Sequence, residues 1–174
     1  MPEPSTPRPS LIVMGVAGCG KSTLGRELAR QLHLRFVDAD DLHPASNVEK
    51  MRHGIPLTDA DRAGWLEGLG ELLQRAEQAN TPVVLACSAL KERYRAQLGI
   101  EGRQRVAVYL RITPSVARER LMRRSDHFMP ASLVESQFAA LEEPSGALTL
   151  DATSPLRALV VQVLEHYRSL LPPS

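Results

Sequence analysis

Residues 15–22 have the residue types and spacing of a loop that binds phosphate groups, G-x-x-x-x-G-K-[ST]. Glycines let such a loop bend so that successive backbone N–H groups point at one anion, and the helix that follows adds the positive end of its dipole. The Lys21 ammonium can reach the β- and γ-phosphates of a nucleotide, and the Ser22 hydroxyl can bind Mg²⁺. Nucleotide contacts are expected along the whole loop, from Gly15, Val16, Ala17, Gly18, Cys19, Gly20, Lys21, Ser22 and Thr23.

Two carboxylates, Asp38 and Asp40, follow the apolar run at residues 34–37. Carboxylates at the carboxyl end of a parallel strand lie beside the crevice where ligands bind in open α/β sheets. Because these two residues are two positions apart in an extended segment, their side chains leave on the same side. Asp38 could support the Mg²⁺ ion through water while Asp40 accepts the proton of a substrate hydroxyl. An acidic turn that caps the next helix is the alternative.

The segment at residues 43–57 has few residues that could build a core, yet it is rich in polar side chains. A short helix with one polar face toward the crevice would suit a polar, anionic small molecule, with His43 and Lys50 as candidate contacts. A solvated surface helix is the alternative for Lys50 and Arg52. Arg62, in the following helix, either faces the substrate or pairs with a neighbour.

Thr58 followed by Asp61 has the form of a capping box, so Asp59 and Asp61 are expected to cap a helix rather than to bind a ligand. That helix carries Trp65 on an apolar stripe, which we assign to the core. Ser88 ends the third apolar run, where a helix cap and a ligand contact are equally supported.

The densest cationic stretch lies at residues 118–127 and places arginines on a helix that runs into a loop. The planar guanidinium group of an arginine can donate to two phosphoryl oxygens at once. Arg120 and Arg124 are expected to share one helix face because they are four residues apart. We expect a mobile lid around residues 120–135 that supplies these arginines to ATP. The net charge of +1 and the lack of interleaved aromatics argue against a nucleic-acid partner.

The chain has 174 residues, enough for one domain with a single core. Short apolar runs alternate with segments of helical periodicity, which predicts a three-layer α/β domain with a five-stranded parallel sheet. The runs are residues 11–16, 34–37, 83–86, 106–110 and 147–150. Residues 1–10, rich in Pro and Ser, are expected to form a disordered lead, and residues 11–174 a single domain.

The two cysteines indicate a reducing compartment, because a disulfide at Cys19 would distort the phosphate loop. No secretory signal is seen and no apolar run approaches the ~20 residues that cross a bilayer, so we expect a cytoplasmic protein without a membrane partner. A thiol at a helix N-terminus tends toward a lowered pKa, so alkylation of Cys19 is expected to inactivate the protein.

A guanine-reading N-K-x-D motif is absent from the sequence, and a compact phosphate-loop domain with an arginine lid fits a small-molecule kinase. The sequence resembles the gluconokinase family of P-loop small-molecule kinases between residues 11 and 144. The matching segments are residues 14–23 (MGVAGCGKST), 38–44 (DADDLHP), Asn47, 49–51 (EKM), 54–57 (GIPL), 59–66 (DADRAGWL), 87–91 (CSALK), 137–138 (QF) and 141–144 (LEEP). The block around residues 43–51 is the specific part, since many unrelated enzymes share the loop.

The resemblance implies ATP-dependent phosphorylation of D-gluconate at its 6-hydroxyl, giving 6-phosphogluconate and ADP. It also implies a nucleoside-monophosphate-kinase-like and shikimate-kinase-like fold with strand order 2-3-1-4-5, and a homodimer. Lys21, Asp40 and Arg124 are then the catalytic residues, with Asp40 deprotonating the hydroxyl. Arg120 and Arg124 resemble the lid pair of adenylate-kinase-like enzymes, in which the first packs on adenine and the second meets the transferring phosphoryl group.

His43, Lys50 and Arg62 are the candidates for the carboxylate and hydroxyls of gluconate. Two other readings stay open. A shikimate-kinase-like activity would share the fold, although it would favour a glycine-rich end to the third strand, where residues 87–89 read CSA. A nucleotide-binding regulator without turnover is the third reading, although no site residue is missing.

Overall fold

The computed structural model describes residues 7–100, 105–124 and 130–173. Its five strands form one parallel sheet in the order β2-β3-β1-β4-β5. They are β1 (Ser10–Met14), β2 (Arg35–Asp38), β3 (Val83–Ala86), β4 (Arg105–Arg111) and β5 (Leu148–Asp151). Each predicted apolar run overlaps one of these strands, so both the strands and the strand order implied by the resemblance are confirmed.

Helices connect the strands, and a 3₁₀ turn at Ala39–Leu42 follows β2 directly. The helices are α1 (Lys21–Leu32), α2 (Ala45–Arg52), α3 (Asp59–Gln78), α4 (Glu92–Gln97), α5 (Pro114–Met122), α6 (Ala131–Ala140) and α7 (Leu156–Ser169). Across the described ranges, none of them combines the length and apolar character needed to cross a bilayer.

The central strand β1 is buried along its whole length, which explains why its sequence is a continuous apolar run. Its side chains alternate between two core layers because successive residues of a strand point to opposite faces. Leu11 and Val13 pack with α1 and α7, whereas Ile12 and Met14 pack with α3 and α4. The three-layer α/β architecture is therefore as predicted.

The sheet starts inside the predicted N-terminal lead. Ser10 is the first residue of β1, is fully buried, and its hydroxyl accepts a hydrogen bond of 3.1 Å from the Val83 N–H. The Pro9 carbonyl accepts one of 2.8 Å from the Tyr167 hydroxyl. The predicted domain boundary at residue 11 thus falls one residue late, and residues 1–6 of the lead lie outside the described residues.

The capping box predicted from Thr58 and Asp61 is confirmed, whereas the Asp59 carboxylate accepts hydrogen bonds from Arg93 and Tyr94 of α4 instead. The Thr58 hydroxyl accepts from the Asp61 N–H at 3.1 Å, and the Asp61 carboxylate accepts from the Thr58 N–H at 2.9 Å. Ser88 as a helix cap is wrong, because a turn follows β3 and α4 begins only at Glu92. There the Glu92 N–H donates to the Glu142 carboxylate at 2.7 Å, so a distant side chain serves the helix start.

Candidate active site

The loop between β1 and α1 has the tight path that its glycines predict. Gly15 and Gly18 have φ values of +144° and +82°, a conformation that side chains rarely adopt. A Cβ on Gly18 would lie 2.9 Å from the Ala117 carbonyl oxygen, and one on Gly15 would lie 2.9 Å from that of Leu110. Because α1 begins at Lys21, its N-terminal amides continue directly from the loop, as an anion site requires.

Two side chains contact the backbone of this loop. The Lys21 ammonium lies back across it and donates to the Val16 carbonyl at 3.1 Å. The Ala17 N–H donates to the Gln137 side-chain oxygen at 2.7 Å, which ties α6 to the loop. The Lys21 ammonium can therefore exchange its hydrogen bond to the Val16 carbonyl for one to a phosphate oxygen while it stays beside the loop.

Ser22 and Asp38 lie in direct contact. The Ser22 hydroxyl donates to one oxygen of the Asp38 carboxylate at 2.7 Å, and the Asp40 N–H donates to the other at 3.1 Å. Asp38 therefore both caps the 3₁₀ turn and faces the phosphate loop, so its two predicted roles are compatible. The Asp40 side chain is 58 % exposed at the mouth of the crevice.

The Ser22–Asp38 pair suits Mg²⁺, which binds through one or two protein oxygens and completes its octahedral shell with water and substrate phosphates. Within the described ranges, no group of three or more His, Cys, Asp or Glu side chains could hold a metal by itself. The chemistry of the donor set thus fits a nucleotide-bound magnesium ion rather than a caged one.

A cavity of about 180 Å³ lies at the carboxyl ends of the strands, bordered by the phosphate loop. It is lined by most of the predicted catalytic and substrate residues, which come from distant parts of the chain. These are Lys21, Ser22, Asp38, Asp40, His43, Arg62 and Arg124. The predicted residues outside its lining are Gly15, Val16, Cys19, Thr23, Lys50 and Arg120.

Lys50 does not line this cavity because its ammonium is engaged by the Asp61 carboxylate, at 2.8 and 2.9 Å from the two oxygens. The hydrogen bonds from Lys50 and from the Thr58 N–H lower the pKa of Asp61 to about 2. The interaction joins α2 to the start of α3. The structure therefore gives Lys50 a structural contact in place of the predicted substrate contact.

His43 forms part of the cavity wall, stacked on Trp65 with ring centroids 4.1 Å apart and planes 16° apart. The Trp65 N–H donates to the Ala39 carbonyl at 2.7 Å, which fixes the indole. Burial lowers the pKa of His43, an effect opposed by the Asp40 charge and reinforced by Arg62. Trp65 is a core residue as predicted, but the sequence analysis missed its second role as a cavity wall.

Arg62 is a cation of the cavity lining contributed by α3. Its Nη1 donates to the Leu57 carbonyl at 2.6 Å, and its guanidinium carbon lies 5.5 Å from the centre of the Tyr94 ring. The Tyr94 hydroxyl in turn donates to Asp59. Arg62 therefore lines the cavity and is also held by neighbours, and its contact with a substrate stays a prediction.

The two predicted lid arginines border one cavity together, but they do not share a helix face as predicted, because α5 ends at Met122 and Arg124 lies beyond it. Arg120 donates to the Ala152 carbonyl at 2.7 Å and to the Cys19 carbonyl at 3.3 Å, and it lines a second cavity of about 380 Å³ beside Thr23. Arg124 lines both cavities. Residues 125–129 of the predicted lid lie outside the described residues, so the lid stays a prediction.

Three hydrophilic residues of the cavity lining were not predicted as site residues, namely Asp41, Ser136 and Gln137. Gln137 lies within one of the segments that resemble the gluconokinase family, and that was its only signal. Its contact with Ala17 joins positions 120 residues apart, which no local pattern reveals.

Both cysteines are free. Cys19 is only 1 % exposed, so the alkylation expected from its position would need the loop to open. Burial is the main cause that raises the pKa of the Cys87 thiol to about 12, with the nearby Asp40 charge adding to it. Neither thiol is therefore presented as an accessible nucleophile.

Comparison with known proteins places this fold and site in a family. Residues 17–145 match the family model described as shikimate kinase. The gluconokinase of Gluconobacter oxydans (strain 621H) is 48 % identical over 134 residues, which cover 77 % of this chain and 75 % of that protein. The thermoresistant gluconokinase of Escherichia coli (strain K12) is 38 % identical over 159 residues, covering 88 % and 90 %.

The chain belongs to the gluconokinase family. It is thus a kinase within the shikimate-kinase-like group of P-loop proteins. A crystal structure of a gluconokinase from Sinorhizobium meliloti 1021 matches it with a TM-score of 0.83 and 39 % identity, covering 95 % of this chain and 94 % of that one. An unliganded sugar kinase from Janibacter sp. HTCC2649 matches with a TM-score of 0.86 and 36 % identity, covering 96 % and 100 %. A shikimate kinase from Aquifex aeolicus, at a TM-score of 0.56 and 18 % identity, shares the fold alone.

Proposed function

We propose that this member of the gluconokinase family transfers the γ-phosphoryl group of ATP to the 6-hydroxyl of D-gluconate, giving 6-phosphogluconate and ADP. The observation that carries the proposal is one cavity that holds a phosphate loop, an exposed carboxylate and a separate cation, Arg62. Relatives named gluconokinase that are 38–48 % identical over three quarters or more of the chain support the choice of gluconate.

The nucleotide would bind across the two cavities. The amides of residues 15–22 and the Lys21 ammonium hold its phosphates, while Arg120 borders the second cavity, which we assign to adenine. Ser22 and Asp38 would hold Mg²⁺, which would neutralise charge on the phosphates. Arg124, which faces both cavities, would stabilise charge on the transferring phosphoryl group.

The acceptor would occupy the main cavity. Asp40 accepts a hydrogen bond from the 6-hydroxyl and takes its proton as the new O–P bond forms. Arg62 pairs with the gluconate carboxylate, and its bond to the Leu57 carbonyl fixes the plane of its guanidinium. His43 contacts a hydroxyl, whereas Lys50 stays with Asp61 and is not part of the proposed contact set.

The proposal also includes the expectations from the sequence for domain organisation, the lid, oligomeric state and location. We assign one kinase domain to the chain from β1 onward, with a lid that includes Arg124 and closes before transfer. We also propose that the protein is a cytoplasmic homodimer, as its resemblance to the family implies. Light scattering of the purified chain would test the dimer, because a monomeric mass at micromolar concentration contradicts it.

The experiment that tests the function is ADP release with Mg-ATP and separate acceptors: D-gluconate, shikimate, D-glucose and AMP. We expect turnover on gluconate to exceed turnover on each of the other acceptors by about 10³-fold or more. The polar side chains of the site would be left without hydrogen-bond partners when a wrong acceptor is bound. Turnover on shikimate instead would support the shikimate-kinase-like reading. ATP binding without turnover on any acceptor would support a nucleotide-binding regulator.

A further inference from the structure

Asn47 is a buried polar side chain of α2 that the sequence analysis assigned no chemical role. It is 2 % exposed, and its side-chain nitrogen donates to the Asp61 backbone carbonyl at 2.8 Å. A backbone carbonyl only accepts hydrogen bonds, so the atom that faces it must be the amide nitrogen. The orientation of the Asn47 side chain is therefore fixed by its partner.

The same nitrogen lies 3.3 Å from Nδ1 of His43. Its second hydrogen is directed to that ring nitrogen, because the first is used by the Asp61 carbonyl. A ring nitrogen that accepts a hydrogen bond carries no proton, so the neutral His43 ring must carry its proton on Nε2. Asn47 thus selects one of the two tautomers of His43.

The protonated nitrogen faces the site of chemistry. His43 Nε2 lies 3.9 Å from the Asp40 Oδ1 atom, beyond the length of a direct hydrogen bond. Stacking on Trp65 prevents the ring from tilting to close that gap. The result is a donor and an acceptor side by side in the cavity lining.

Burial of the ring favours the neutral form, which lowers the pKa of His43, and the guanidinium of Arg62 acts in the same direction. A neutral ring has a single N–H to donate, so the choice of tautomer decides whether Nε2 presents a donor or an acceptor to the substrate. Without the Asn47 contact, nothing in the stacking geometry would distinguish the two.

We propose that Asn47 is a positioning residue that holds His43 as its Nε2–H tautomer, and that His43 then donates a hydrogen bond to the substrate hydroxyl next to the one that reacts. This arrangement leaves a lone pair of the reacting oxygen free for attack while Asp40 takes its proton. It determines which hydroxyl of a polyol chain reaches Asp40. The identity of the hydroxyl rests on the proposed function; the tautomer does not.

The tautomer can be measured in the substrate-free protein with ¹⁵N-labelled histidine and multiple-bond ¹H–¹⁵N NMR. The chain has five histidines, and the spectrum of the His43→Gln variant identifies the signal of His43. We expect the Nε2–H pattern in the wild-type protein and a change to Nδ1–H or imidazolium in Asn47→Asp, whose carboxylate can only accept. An Nδ1–H pattern in the wild-type protein overturns the inference, whatever the substrate is.

The contact with substrate is tested by a pair of variants that leave Asn47 bound to Asp61. A glutamine amide nitrogen can occupy the position of Nε2, whereas an asparagine amide nitrogen reaches only the position of Nδ1. We expect His43→Gln to keep kcat/KM within about tenfold of wild type and His43→Asn to lose about 100-fold, the range for an unmade hydrogen bond to a buried group. Equal losses in both variants would overturn the contact.

The two proposals fail in different ways. Absence of gluconate turnover in the wild-type protein contradicts the proposed function, and the NMR pattern still decides the tautomer. Normal gluconate turnover with the wrong tautomer, or with equal losses in the two His43 variants, contradicts only this inference. Thermal unfolding of each variant checks that it is folded before its kinetics are compared.

Discussion

The Ser22 hydroxyl and the Asp38 carboxylate are hydrogen-bonded at 2.7 Å, although one residue lies in the first turn of α1 and the other ends β2. The contact joins the phosphate loop to the turn that carries Asp40, whose N–H is bound by the second Asp38 oxygen. The proposed metal-binding pair and the proposed base are thus linked by one side chain. A change at Asp38 should alter both.

Two substitutions of Asp38 distinguish its proposed role beside Mg²⁺ from its hydrogen bond with the Asp40 N–H. Asp38→Asn keeps an acceptor for the Asp40 N–H but removes the charge near the magnesium position, whereas Asp38→Ala removes both. We expect Asp38→Asn to raise the Mg²⁺ concentration for half-maximal activity by about tenfold or more, in the range found when groups around a metal are altered. We expect Asp38→Ala also to lower kcat at saturating Mg²⁺. An unchanged magnesium dependence in both variants would refute the role of Asp38.

Asp40→Asn removes the proposed proton acceptor while preserving the size of the side chain. We expect kcat to fall by about 10²-fold or more, the usual effect of losing a positioned base. Glu49→Gln is the matched control, because Glu49 lies on the exposed surface of α2 beside Arg52 and should leave kcat unchanged. Turnover of Asp40→Asn close to wild type would eliminate the assignment of the base.

Arg124→Ala tests the cation that borders both cavities. We expect kcat to fall by about 10²-fold or more, because a guanidinium that stabilises the transferring phosphoryl acts chiefly in the transition state. Arg118→Ala is the control, since Arg118 pairs with Glu135 at 3.3 Å on the exposed surface. If the two variants lose equal activity, a general loss of positive charge explains the effect and Arg124 has no special role.

The Lys50–Asp61 ion pair predicts a dependence of stability on pH. The pKa of Asp61 is lowered to about 2 in the folded protein, mainly by Lys50. A lowered carboxyl pKa contributes stability that is fully present above the unfolded value of about 4 and is lost as the pH falls toward the folded value. We therefore expect the melting temperature difference between wild type and Asp61→Asn to shrink between about pH 4 and pH 2. A difference that is constant across this range contradicts the assignment.

Arg95 offers a test of the turn after β3. It is 5 % exposed and donates from Nη1 to the Ala89 and Leu90 carbonyls at 2.9 and 3.1 Å, where Ala89 has a φ of 43°. Arg95→Met should lower the free energy of unfolding by about 2–4 kcal/mol, because two carbonyls lose a charged donor. Arg93→Met, at a half-exposed position, should change it by less than about 1 kcal/mol. Urea denaturation of both variants measures the difference.

The strands and the start of α3 could be predicted because their signals are local. The apolar run of β1 and the spacing from Thr58 to Asp61 each report on residues within one element. The contacts that were missed join distant elements. Glu142 serves the start of α4 from 50 residues away, and Asp61 engages Lys50 across two helices.

The candidate site shows the same contrast between local sequence signals and contacts that join distant residues. Lys21 and Asp40 could be placed beside the cavity because loop spacing and strand ends indicate where a crevice forms, and Arg124 because of the cationic stretch at residues 118–127. Lys50 was assigned to the substrate because its charge is visible in the sequence whereas its partner is not. The roles of Asn47 and Trp65 depend on the ring of His43 lying between them, which only packing reveals.

The central claim is the transfer of phosphate from ATP to one hydroxyl of gluconate, and identification of the product tests it most directly. Incubation with Mg-ATP and D-gluconate followed by ³¹P and ¹³C NMR should show ADP and an equimolar phosphomonoester on carbon 6. Lys21→Met should give neither. A phosphomonoester on another carbon, or ADP formed without any phosphorylated gluconate, would contradict the account.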